Sequence, residues 1–185
     1  RAFHLSDFPG IDGGGEADCT RGLQQAIDHI KRDHAYGVLL VPQGRYRISG
    51  TVYIPKAIRI IGYGPGRPVF YLPGHTPGFD VPSQGDKGGY QYMFWFTDRL
   101  VEAGEPVRDA GPGTFYAAIS NIDFEVGPGN PYAVALRCHF AQHSFVSHCD
   151  FHIGEGMAGI FDVGNEMQDV HFYGGAYGIT STKPS

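Results

Sequence analysis

The residues best suited to chemistry crowd the second half of this chain: the carboxylates Asp123, Glu125, Asp150, Glu155, Asp162 and Asp169, and the imidazoles His139, His143, His148, His152 and His171. Paired carboxylates can cleave a glycosidic bond, one protonating the leaving oxygen and the other activating a water. Stacked carboxylates can instead gather Ca²⁺, which neutralises a uronate and acidifies its α-carbon if a basic residue stands by to accept the proton. Arg108 and Arg137 are the available bases, and no lyase-like cluster surrounds either in the sequence. The four-residue spacings His139/His143 and His148/His152 would bring imidazoles together only on a helix, whereas the Val, Phe and Ile around them read as strands. With no HExxH pattern either, the sequence points to no zinc centre; these rings are expected to hydrogen-bond along a stack or to face a sugar. Nucleotide chemistry is not indicated, because Gly62-Tyr-Gly64 runs into Pro65, which suits a turn and not a helix start.

What must position these groups is a repeat. Ile119 to Phe124, Phe145 to Phe151 and Met167 to Phe172 are similar runs, each followed by a glycine-bearing bend and a second apolar run: Ala133 to Leu136, Ala158 to Phe161 and Tyr177 to Thr180. From Phe124 to Phe151 to Phe172 the separations are 27 and 21 residues, within the range of solenoid repeats. One such unit cannot bury its own apolar face, so the units must stack, and the long flank of the stack becomes the place for a site. The expected architecture is mainly β, a right-handed parallel β-helix with an N-terminal amphipathic capping helix. Asp123 and Asp150, each just before a core Phe, should line its exterior.

Ahead of the strands, Leu23, Ala26, Ile27 and Ile30 fall at helical spacing while Gln24, Asp28 and Lys31 take the other face. Residues 17–34 read as the cap, with Asp18 or Thr20 as N-cap and Gly37 as the stop. Strand-sized runs follow at 38–41, 46–49, 51–54 and 58–61. Residues 73–115, rich in Gly and Pro, read as a loop insertion around Tyr90-Gln-Tyr-Met-Phe-Trp-Phe96, whose centre is either a core strand or a sugar-facing aromatic platform.

Composition sets the outer bounds. The chain has 185 residues, of which 42% are hydrophobic and 18% charged, enough for one folded domain, 1–185, with a sizeable core. The 28 Gly and 13 Pro show no triplet period and favour a turn-dense β protein. A net charge of −5 leaves no electrostatic footprint for nucleic acid or an anionic membrane, and no run is long enough to span a bilayer. Cys19, Cys138 and Cys149 form no disulfide framework or zinc spacing, and read as buried thiols, with a bridge between neighbouring repeats as the alternative. Starting at Arg1, the chain reads as a processed or trimmed product, and the stop after Thr182-Lys-Pro-Ser185 predicts that the polypeptide continues or that another chain covers the end.

The opening, with Phe8, Asp12-Gly, Leu23-Gln-Gln-Ala-Ile27, Gly37-Val-Leu-Leu-Val-Pro-Gln-Gly-Arg-Tyr-Arg-Ile-Ser49 and Ile58-Arg-Ile-Ile-Gly-Tyr-Gly64, resembles that of the pectate-lyase-like right-handed β-helix superfamily. Downstream, Ala133 to Phe151, Gly159 to Asn165 and Asp169 to Ile179 are similar to the N-terminal β-helix of glycoside hydrolase family 55, β-1,3-glucanases built from two β-helices in tandem. The resemblance implies an inverting hydrolase of a β-glucan-like polysaccharide, needing no metal or cofactor and acting in a secreted or periplasmic location. It further implies that the general acid lies on a second β-helix domain outside this chain, while the present half positions substrate and water. By motif position Gln142 and the turn Gly164 to Met167 face one groove, which makes Gln142 and Glu166 the expected catalytic pair, although Glu166-Met167 stands where the family has small residues; Trp95, His143, Ser144, Asn165 and His171 are expected to bind substrate. On a solenoid flank, neighbouring repeats should partly desolvate Glu166 and raise its pKa toward a useful range. The alternatives are a Ca²⁺-assisted polysaccharide lyase and a non-catalytic glycan-binding module of tailspike type.

Overall fold

The computed structural model describes residues 1–86 and 88–183. The chain runs in successive repeats of short strands. The first holds β1 (Ala2–His4), β2 (Gly14–Asp18) and the helix α1 (Thr20–His34); the next holds β3 (Gly37–Pro42), β4 (Arg45–Arg47) and β5 (Val52–Pro55). Then come β6 (Ile58–Tyr63), β7 (Val69–Leu72) and β8 (Gln91–Thr97), and after them β9 (Ala118–Ser120), β10 (Asp123–Val126) and β11 (Ala133–Cys138). In the last two repeats the first two strands fuse, giving β12 (Phe145–Gly154) with β13 (Ala158–Val163), and β14 (Glu166–Gly174) with β15 (Tyr177–Thr180).

Each strand pairs in parallel with its counterpart one repeat away, so the protein is mainly β with parallel sheets. The registers line up one inward column per row. In the first row Leu39, Ile60, Ile119, Val146 and Met167 are partners. In the second, Tyr46, Phe70, Phe124, Phe151 and Phe172 form an aromatic column. In the third, Val52, Phe94, Leu136, Ile160 and Ile179 align. Phe124 and Phe151 stack at 5.2 Å and 6°, and Phe151 on Phe172 at 5.2 Å and 18°, which is the repeat read from the sequence in physical form. Each buried Phe contributes about 1.5–3 kcal/mol of apolar burial, so the column alone is a large part of what holds the repeats in register.

Helix α1 buries Leu23, Ala26, Ile27 and Ile30 and packs chiefly on β5, in the place a third-row strand takes in later repeats. It begins three residues later than expected. Its N-cap, Cys19, makes no side-chain capping bond; Asp18 instead accepts from the N–H and hydroxyl of Thr20, at 3.0 and 2.7 Å. The stop is Ala35, left-handed at φ 64°, and not Gly37, which already belongs to β3. A side chain at Gly37 would press on Ile30 and Phe3 at 2.8 and 2.9 Å, so that glycine serves a close approach between helix and strand. The stretch 73–115 is not one loop: β8 divides it, with Tyr92, Met93, Phe94 and Phe96 buried. All three cysteines are free and buried. No described helix is long and apolar enough to cross a membrane.

Candidate functional site

Residues alternate across a strand, so while Phe94 and Leu136 point into the core, their neighbours point out. The outward column of the third row is Tyr53, Trp95, Arg137, Phe161 and Thr180, partners in register from β5 to β15. The Tyr53 and Trp95 rings lie 5.8 Å apart, and the Arg137 guanidinium sits 4.3 Å from the Trp95 ring and 5.2 Å from Phe161. Five strands at the usual spacing make this floor about 19 Å long. The connection from β7 to β8 walls one side with Asp86 and Tyr90, that from β8 to β9 brings Asp109 over the other, and the segment after β15 adds Lys183. Together they enclose a groove of about 950 Å³. A second hollow of about 500 Å³ shares Thr51 and Tyr53 and carries the groove on toward Gln24 and Asp28 of α1.

Arg137 is the hub of the groove. Only 14% of its side chain is exposed; it donates to Asp109 through Nε (3.2 Å) and Nη2 (2.9 Å) and to the Tyr92 hydroxyl at 3.2 Å, with Asp86 at 3.5 Å. Asp109 also accepts from Trp95 Nε1 at 2.9 Å and from Lys183 Nζ at 2.6 Å, so one carboxylate fixes both the cation and the indole. Burial alone would raise the Asp109 pKa, but the hydrogen bonds from Arg137, Lys183 and Trp95 outweigh it and hold the carboxyl below its usual range. Burial likewise works against the Arg137 cation, and the Asp109 bonds more than offset it, so Arg137 is locked as a cation and cannot accept a proton. Asp86 accepts from the Tyr92 hydroxyl at 2.7 Å and from the Gly88 N–H at 2.9 Å. Burial, reinforced by that bond to Asp86, raises the Tyr92 pKa and keeps it a neutral phenol. Asp162 is fully buried and accepts from the Thr182 N–H at 2.7 Å, which ties down the segment bearing Lys183.

The residues singled out from sequence divide between this groove and two other places. Trp95 lies in the groove, on the outward face of a strand whose Met93, Phe94 and Phe96 are buried in the core. Gln142 and His143 are exposed in the turn between β11 and β12, and Asn165 and Glu166 are exposed where β13 passes into β14, all beyond the end of the groove floor. The register sets Glu166 beside Phe145, three residues on from Gln142, so the two expected catalytic groups are not partners. Glu166 borders a hollow of about 220 Å³ with Phe145, Ser147 and Gln168. Ser144 is fully buried; its hydroxyl accepts from the Ala117 N–H at 3.1 Å, which makes it an anchor between turns and removes it from any substrate surface.

His171 belongs to the outer side of the bend between the first and second rows, with its Nδ1 2.9 Å from Asp150. Asp123 and Asp150 face outward side by side there, the Asp150 N–H donating to the Asp123 carboxylate at 2.9 Å, and Arg67 lies 3.1 Å from the first and 3.4 Å from the second. The cation that serves these stacked carboxylates is thus a side chain of the protein. His148 Nδ1 pairs with Asp169 at 2.7 Å, and His152 stacks on Tyr173 at 4.8 Å, so these imidazoles lie along the stack.

The groove charges escaped the sequence reading. Arg137 is set in a cluster after all, but its partners, Asp86 and Asp109, are 51 and 28 residues away in irregular connections. A signal was present: aligning Phe94-Trp95, Leu136-Arg137 and Ile160-Phe161 as repeated core–surface pairs would have set Trp95, Arg137 and Phe161 side by side.

Among solved structures, the chain is similar to a 1,3-α-1,4-β-D-galactose-4-sulfate-3,6-anhydro-D-galactose-2-sulfate 4-galactohydrolase (15% identity, TM-score 0.64, covering 98% of this chain and 41% of that one). It is similar also to PfbA, a surface adhesin of Streptococcus pneumoniae (16% identity, TM-score 0.63, 95% and 39% covered). A third is ORF18 of Geobacillus virus E2 (16% identity, TM-score 0.54, 88% and 28% covered). At these identities the likeness is one of fold, and the chain spans only 28% to 41% of the length of these structures. No curated protein matches the chain. Residues 6–185 match a family model, and on that match, which covers nearly the whole sequence, this chain belongs to the rhamnogalacturonase A/epimerase, pectate lyase-like family.

Proposed function

We propose that this chain is the polysaccharide-binding part of a carbohydrate-active protein that works outside the cell, secreted or periplasmic, and that a glycan chain lies along the groove above the third row. The framework is a right-handed parallel β-helix with α1 covering its first turn. The observation that carries the reading is the outward column Tyr53, Trp95, Arg137, Phe161: aromatic faces for the C–H surfaces of pyranoses, interrupted by a cation and edged by carboxylates for their hydroxyls.

The reaction we propose is inverting hydrolysis of a β-glucan-like polysaccharide, following the resemblance to glycoside hydrolase family 55. Every groove carboxylate is already engaged: Asp109 by Arg137 and Lys183, Asp86 by Tyr92, Asp162 by Thr182. The general acid is therefore assigned to a part of the protein outside this chain, with Gln142 and Glu166, exposed beyond the end of the groove floor, holding the attacking water. Release of reducing ends from β-1,3-glucan by the full-length protein tests this. Trp95→Ala should weaken substrate binding and Glu166→Ala should abolish turnover; normal turnover in Glu166→Ala removes it from the mechanism.

The same engaged carboxylates favour a second reading, a glycan-binding module without catalysis, in line with the fold it shares with a surface adhesin. Binding without release of sugar by the full-length protein selects that reading. A lyase is the weaker alternative because Arg137 is held protonated; ultraviolet-absorbing unsaturated products would restore it.

A further inference from the structure

The turns that lead into the first row carry a second assembly, outside the groove. Each of them sets one residue in the left-handed region: Ala35 (φ 64°), Ala57 (67°), Tyr116 (58°), His143 (59°) and Asn165 (63°). Asn and His adopt this conformation comparatively readily, but a bulky residue such as Tyr116 is strained there. Tyr116 and His143 occupy successive turns, and their rings stack at 5.1 Å and 10°. Burial does not explain the choice, since Tyr116 is 53% exposed and the neighbouring Phe115 39%. Arg59 clamps both turns by donating to the carbonyls of Tyr116 (3.3 Å) and His143 (3.0 Å). Its guanidinium then reaches past the small Ala118, its partner in register, to lie 5.4 Å from the Phe145 ring, with Glu166 next along the same column. A strained position has thus been given to a ring, Tyr116, that stays in solvent and is held rigid.

We propose that Tyr116, His143 and Phe145, flanked by Arg59, form a second polysaccharide-binding surface that takes a neutral glycan chain. The half-exposed Tyr116 ring, held in place by its stack on His143, and the partly exposed Phe145 ring offer apolar surface of the kind a pyranose C–H face covers. The cation at its edge, Arg59, is spent on the carbonyls of Tyr116 and His143, so the surface carries no free charge that would select a uronate or a sulfate. This surface is separate from the groove, and the sole tryptophan, Trp95, lies in the groove and reports only on that site.

The test is affinity electrophoresis of the protein in gels containing soluble β-1,3-glucan, xylan or galactomannan, with polygalacturonate as the charged control, alongside Trp95 fluorescence and thermal unfolding. At least one neutral polymer should retard the wild type. Tyr116→Gly and His143→Gly should weaken that retention tenfold or more with Tm held or raised, because glycine accepts φ near +60°, and Tyr116→Trp should retain it. Retention unchanged in both glycine variants, loss only with a fall in Tm, or no retention of the wild type by any neutral polymer overturns the proposal. Loss of the Trp95 response in Tyr116→Gly also overturns it, since the rings would then belong to the groove. A silent Trp95 with Tyr116-dependent retention intact would sink the groove reading and leave this one standing.

Discussion

Replacing Arg137 with Ala is the sharpest probe of how the groove is built. Removing one partner of a buried ion pair costs about 3–5 kcal/mol. Here the Arg137 and Asp109 side chains are 14% and 20% exposed, and Lys183 and Trp95 continue to hold Asp109. The expected loss is therefore about 2–3 kcal/mol, part of it packing against Trp95. For a chain of this size that is a fall in Tm of roughly 4–12 °C. The pH dependence has a definite sign: Asp109 has a depressed pKa in the folded state, so its contribution is complete above the ordinary carboxylate pKa and is lost as pH falls through the folded value. The Tm gap between wild type and Arg137→Ala should be widest near pH 7 and close progressively below about pH 4. Thermal unfolding followed by circular dichroism across that range measures it. A loss under about 0.5 kcal/mol, or a gap that ignores pH, would mean that Arg137 is a solvent-screened surface pair and does not organise the groove.

Phe151→Ala removes the ring stacked between Phe124 and Phe172 and should cost about 3–5 kcal/mol in chemical denaturation, whereas a cost near 1 kcal/mol would deny that the stack sets the register. Gly62→Ala should lower Tm sharply, because the added Cβ would overlap the carbonyl oxygen of Asn121 and crowd the Pro68 ring; a neutral result would contradict the close approach of β6 to the next repeat. The three thiols should be silent to a thiol reagent in the native protein and all react after unfolding: all are buried, and burial pushes the Cys149 thiol up to about 12. Fast native labelling would refute that packing.

How much of this was legible in the sequence follows from what is periodic. Phe124, Phe151 and Phe172 recur because stacked repeats demand like residues at like places, and the helix at Leu23 to Ile30 shows because a one-sided apolar face leaves a 3.6-residue mark. The groove floor was half visible, since Trp95 and Arg137 hold the same outward position but in repeats of unequal length. Its walls were not, because Asp86 and Asp109 sit in irregular connections whose reach across the sheet has no sequence period. Ser144 misled for a local reason: a hydroxyl in a polar turn reads as exposed, and only the packing of the neighbouring turn buries it. The 24-residue separation of Gln142 and Glu166 suggests partners one repeat apart, but β14 starts against Phe145 and leaves the glutamine three residues behind.

The central claim is that a glycan occupies the groove, and the fluorescence of Trp95 tests it most directly, for no other tryptophan contributes. Titration of the full-length protein with β-1,3-gluco-oligosaccharides should give a saturable change in Trp95 emission that weakens at least tenfold in Tyr53→Ala. Saturable oligosaccharide binding seen by calorimetry with no change at Trp95 would contradict it.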